Sequence, residues 1–209
     1  MSAEVPQVTD VALSKRLERA EAKASAAYVE SRSRGTPALG AEWRDFEGTY
    51  AMFDGVGSPL SQTFGFGLFS SPTNEQLEAI ESFFRDREAE VFHEVSPLAD
   101  QGVLGLMAER GYRPMELTSV MHLRLTSDRV RSHRPPSPEL VVHRVEAGGE
   151  DAWAETAARG WSETPEAATF IRDLPLVVRV MVHGCSMIPR PSQAAIFAEI
   201  TGECPEKMF

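Results

Sequence analysis

Cysteine is scarce: Cys185 and Cys204 are the only two in 209 residues, they form no CxxC pair, and no histidine-rich spacing surrounds them. Neither a zinc site nor a disulfide framework is expected, and a reducing cytoplasm is the compartment that fits. Basic charge is also in short supply. Twenty-one Lys and Arg against 31 Asp and Glu leave a net charge of -10, so a polyanion meets net repulsion and releases few counterions. Nucleic acid is not an expected partner. Long apolar runs are missing too, since the most apolar stretch, Leu174 to Val182, is broken by Pro175 and Arg179, and the opening MSAEVPQVTD has no basic region followed by an apolar one. No membrane span and no secretory signal are read. What is there, 42% apolar and 25% charged residues, is the composition of a globular chain with one large or two small domains.

From Asp10, placed as an N-cap, the residues Leu13, Leu17, Ala20, Ala24 and Ala27 recur at helical steps, which predicts an amphipathic helix to about Ser31. Two strand-like runs follow, Gly48 to Phe53 and Gln62 to Phe69; in the second, Phe64, Phe66 and Leu68 share one face and Gly65 and Gly67 leave the other nearly bare. Thr73 and Gln76 form a capping box ahead of Leu77, Ile80, Phe83 and Phe84, so a helix is expected to about Arg87. Glu90 to Val95 reads as a short strand, Asp100 caps a helix carrying Val103, Leu104 and Met107, and Gly111 stands at its left-handed terminus. Met115 to Leu125 then alternates apolar and polar residues and is expected to be a long strand. Residues 127–138 are rich in proline and arginine and read as an exposed linker between a domain over 1–126 and a region over 139–209. In that last region Leu140 to Val145 reads as a strand, Glu150 to Ala158 as a helix, Thr164-Pro165 as the start of another, and Ala194 to Ile200 as a further strand.

The order strand, helix, strand, helix, strand between Gln62 and Leu125, with "ERGYRPMEL" at the corner after the last helix, resembles the second half of a GNAT-superfamily N-acetyltransferase domain. Residues 140–209 resemble the first half of a second such domain. Together the two regions are similar to tandem GNAT proteins with a degenerate N-terminal copy. The resemblance implies an α/β (mixed α+β) fold, a mostly antiparallel central sheet flanked by helices, followed by a partial second unit. It also implies acyl-CoA-dependent N-acetyl transfer with acetyl-CoA as cofactor and a small-molecule amine as acceptor.

That chemistry needs glycine-flanked backbone amides at a helix mouth after a strand, where the diphosphate approaches the main chain. Here the position reads Ser70-Ser71-Pro72-Thr73-Asn74-Glu75-Gln76: it has no glycine, one donor is lost to Pro72, and Glu75 is negative. Arg32-Ser33-Arg34-Gly35 follows a helix instead of a strand and is set aside. The tyrosine that the family often uses as general acid is replaced by Met107, which has no proton to donate. Read as a second copy, residues 139–209 are expected to stop short of that copy's fourth strand, phosphate loop and acid-bearing helix. Weak or absent turnover is expected, the alternatives being a non-catalytic GNAT-like module that binds a small molecule or a protein, or a truncated product that self-associates through its incomplete C-terminal region.

Glu94, on the strand that lines the cleft in GNAT domains, is the candidate base for an ammonium substrate, against an ordinary exposed or ion-paired carboxylate. Trp161 is the candidate acceptor contact, against a packing role. His93 reads as a satisfied core histidine, His183 and Cys185 as a pair without an orienting third group, and Ser58 as a turn serine lacking the second glycine of a nucleophile elbow. Gly65 and Gly67 read as seats for bulky neighbouring side chains.

Overall fold

A computed structural model describes residues 9–122 and 148–160. The elements are α1 (Val11–Gly35), a 3-10 turn (Pro37–Leu39), β1 (Glu42–Phe46), β2 (Thr49–Phe53), β3 (Gln62–Phe64), α2 (Asn74–Arg85), β4 (His93–Glu94), α3 (Gly102–Glu109) and α4 (Glu150–Gly160). Among the described residues, four helices and a four-stranded mixed sheet make the fold class mixed α+β. Residues 9–33 and 38–117 belong to one compact unit, whereas 34–37, 118–122 and 148–160 belong to another.

In the first unit the sheet runs β1-β2-β3-β4. The β1–β2 and β2–β3 pairs are antiparallel, and β3 pairs with β4 in parallel, Thr63 opposite His93 and Phe64 opposite Glu94, through the crossover that α2 provides. The hairpin between β1 and β2 turns on Glu47 (φ 52°) and Gly48 (φ 96°), the doubly left-handed geometry that suits the twist of an antiparallel pair.

Alternation along β2 sends side chains to two cores. Met52, with Phe64 of β3, meets Ala22, Ala26 and Val29 of α1; Ala51 and Phe53 face the opposite way, into a cluster with Phe66, Leu77, Ile80, Phe83, Phe84 and Val103. The sheet is therefore a middle layer between α1 on one side and α2 with α3 on the other.

The helix starts follow their sequence signals in part: at α2 Thr73 caps but the Gln76 side chain turns to the Phe46 carbonyl, so only one arm of the expected capping box forms, and at α3 the cap position is Gln101, with Asp100 accepting from one residue earlier. The Leu13 N–H donates to Asp10 Oδ1 at 2.7 Å, the Gln76 N–H to Thr73 Oγ1 at 3.1 Å, and the Gly102 N–H to Asp100 Oδ1 at 2.8 Å. Gly111 (φ 81°) ends α3, with the Tyr112 N–H returning to the Met107 carbonyl at 3.0 Å. In the second unit, α4 covers the expected helix, and Glu150 Oε2 accepts from the Gly148 N–H at 2.7 Å.

Four expectations are corrected. The buried residues of α1 are Ser14, Ala22, Ala26, Val29 and Ser31, a face rotated from the expected stripe, and the expected residues are half-buried. Strand β1 was not expected, because Glu42, Arg44 and Asp45 dilute its apolar period on an edge. Strand β3 ends at Phe64, since Gly65 (φ 81°) and Gly67 (φ 69°) turn the chain instead of extending it. Residues 112–122 form no strand: Met115 and Leu117 are 81% and 95% exposed, and no described residue gives that segment a backbone ladder. The linker, the strands expected at 140–145 and 194–200 and the helix at Thr164 lie outside the described residues.

Candidate functional site

Two features of the first unit bear on chemistry: the mouth of α2 and a group of carboxylates between α1 and β4. At the mouth, Thr73 Oγ1 is taken up by the Gln76 N–H, and the Thr73 carbonyl accepts from Leu77 at 3.1 Å. Ser71 Oγ donates to Asp100 Oδ2 at 3.1 Å, and Ser70 Oγ donates to the Glu47 carbonyl at 3.0 Å. The buried Gln76 side chain points inward, its Nε2 donating to the Phe46 carbonyl at 2.8 Å. Glu75 occupies the first turn. Nearby, a Cβ on Gly67 would overlap Val103 Cγ2, and one on Gly65 would lie 2.7 Å from Phe69 Cε2. Both glycines seat bulky neighbours, as expected from the sequence, although on a turn and not on a strand.

The carboxylates come from two elements. Glu18 and Glu21 sit one turn apart on α1, and Glu94 ends β4. Burial, then the charges of Glu94 and Glu21, push the Glu18 carboxyl up to about 7, against a Gly65 N–H that hydrogen-bonds to it. Burial raises Glu21, and burial followed by the charges of Glu21 and Glu116 raises Glu94. Glu94 is half-buried, forms no ion pair among the described residues, and feels the like charges of Glu21 and Glu116. Helix α1 is held in place by Ser14 Oγ against Ser96 Oγ at 2.7 Å and by Arg19, which donates to the Gly48 carbonyl at 2.9 Å and lies over the rings of Phe69 and Tyr50.

His93, beside Glu94, is mostly buried between Phe66 and Tyr112, with Nδ1 2.7 Å from Thr63 Oγ1. Burial pulls its pKa down to about 4, so the ring is neutral at physiological pH. The satisfied core histidine expected here is met only in part: Nδ1 pairs with Thr63, but Nε2 has no partner among the described residues. Met107 packs against the sheet core, and the nearest phenol in sequence, Tyr112, donates to Glu81 Oε1 at 3.1 Å; burial and then Glu81 raise its pKa.

Ser58 is a turn serine: its Oγ donates to Asp54 Oδ2 at 2.8 Å and its N–H to the Gly55 carbonyl at 3.2 Å. Asp54 is buried with Arg32 Nε 3.4 Å from Oδ1, and burial raises its pKa despite Ser58 and Arg32. Trp161, His183 and Cys185 lie outside the described residues. Glu18 and Glu21 escaped the sequence reading, yet a signal existed: both border Ala22 on the small-residue face that the sheet covers. Among the described residues no cluster of metal-ligating side chains occurs, and no helix is long and apolar enough to cross a membrane. No family model, curated protein or solved structure matches the chain.

Proposed function

We propose that the chain is a GNAT-like protein of the tandem type, in the lineage of acyl-CoA-dependent N-acetyltransferases, and that its first unit is a non-catalytic binding or scaffold lobe. The topology supports the likeness: an antiparallel meander feeds a third strand whose parallel neighbour is reached through a helix. The observation that carries the loss of catalysis is the mouth of α2. A diphosphate needs free amides and a positive end, whereas this mouth is capped by Thr73, lacks one N–H at Pro72, and has Asp100 and Glu75 as its near charges. These residues do not fit acetyl-CoA, and Met107, where the family often has a tyrosine, has no proton to donate to a departing thiolate.

The raised carboxyls favour one other reading. Glu18, titrating near 7, has the proton affinity of a general base, and with Glu94 it would suit an ammonium acceptor in an active lobe. Calorimetry separates the two. Acetyl-CoA titrated into the purified chain gives no heat under the scaffold reading; micromolar binding that Thr73→Asp or Glu75→Lys alters would place the cofactor at α2 and overturn it.

A further inference from the structure

The segment after α3 combines strand chemistry with no strand partner among the described residues. Met115, Leu117 and Met121 are 81%, 95% and 92% exposed, and Val120 is 57% exposed. No backbone hydrogen bond joins residues 113–122 to another described residue. Odd positions carry Met115, Leu117 and Met121, and even ones carry Glu116, Thr118, Val120 and His122. An apolar strand pattern whose backbone groups have no partner among the described residues is a template for pairing with another chain.

We propose that this segment is a homodimer interface, in which Glu116 to His122 of two copies pair as antiparallel strands about a twofold axis at Ser119. The occupant follows from self-complementarity. Antiparallel pairing about Ser119 sets Leu117 opposite the partner's Met121, Thr118 opposite the partner's Val120, and Glu116 opposite the partner's His122. Apolar side chains meet on one face, and on the other a β-branched pair is flanked by acid against imidazole. Neighbouring registers lose this match: an axis at Thr118 sets Leu117 against Ser119 and Glu116 against Val120, and an axis between two residues pairs odd positions with even ones. An unrelated strand would have no reason to supply the complement that a second copy carries. The inference uses none of the residues at α2 or β4 on which the cofactor argument turns, although its segment is the one whose strand pattern enters the resemblance.

The test uses the full chain with Cys185→Ser and Cys204→Ser. Sedimentation at micromolar concentration should show a dimer, and Leu117→Glu, at an exposed position, should weaken it by about tenfold or more with an unchanged circular dichroism spectrum. Ser119→Cys should form a disulfide-linked dimer under mild oxidation, because the two positions face each other. Leu117→Cys should not, since four residues of strand separate the two sulfurs by about 13 Å. A monomer, a dimer indifferent to Leu117→Glu, or cross-linking at 117 equal to that at 119 would each overturn the proposal.

Discussion

Glu18 and His93 sit on neighbouring layers, and burial drives each toward its neutral form. For Glu18 the folded state holds its proton up to about 7, whereas the unfolded chain releases it near 4.5. Between these values the native state binds the extra proton, so the stability it contributes is full below 4.5 and is lost as the pH rises through 7. Glu18→Gln fixes the neutral form. The variant should match the parent at pH 4.5 and exceed it at pH 8 by about 1–2 kcal/mol, after allowance for the solvent that still reaches the carboxyl. Urea unfolding at the two pH values reads this difference; an equal effect at both would show that Glu18 does not titrate in the fold. His93 runs the other way. Its folded value near 4 lies below the ordinary 6.5, so the stability it contributes is present above 6.5 and falls away as the pH drops toward 4.

Among the elements, the turn after β3 shows how one missing Cβ places a helix. Gly67 has φ 69°, and Val103 of α3 occupies the space that a side chain would need. Gly67→Ala therefore meets both a left-handed backbone and a steric overlap, and should cost about 2–4 kcal/mol. Adding Val103→Ala should return part of that loss, so the double variant falls short of the sum of the singles by about 1 kcal/mol or more. Additive chemical-denaturation energies would mean that α3 does not rest on Gly67. Much of this layer was legible in the sequence, because helix signals are local: Asp10, Thr73, Asp100 and Gly111 each act within a few residues of where they stand. The strands were less legible, because a strand is defined by its partner. Met115 to Leu125 has the period, but its described part, to His122, has no ladder among the described residues, whereas Glu42–Phe46 has the ladder with a weak period. The candidate site was half legible for the same reason. Glu94 could be singled out on its strand, but its company depends on which face of α1 meets the sheet, and small residues rather than leucines decided that.

For the whole molecule, the charge balance sets how stability responds to salt. The chain carries -10 at neutral pH, and the first unit adds a local concentration of like charge at Glu18, Glu21, Glu94 and Glu116. Against this stand the ion pairs of Arg110 with Glu78 and Glu81, of Arg85 with Glu78 and of Glu42 with Arg44 and Arg87, at or near the surface, and the buried Arg32–Asp54 contact. Exposed pairs are worth about 0–1 kcal/mol each and lose little when screened, and a buried pair is screened less still. Net repulsion is therefore the larger salt-sensitive quantity, and shortening the screening length from about 30 Å to below 10 Å should relieve it. The thermal midpoint at pH 8 should rise as sodium chloride goes from about 0.01 to 0.3 M, and the rise should shrink at pH 5, where Glu18 has regained its proton. Sodium chloride is the salt to use, since sulfate would raise the midpoint by exclusion from the surface whatever the charges do. A midpoint that falls with chloride at pH 8 would mean that attraction across the surface pairs outweighs the repulsion, and the acidic excess would then have no part in setting the stability of the fold.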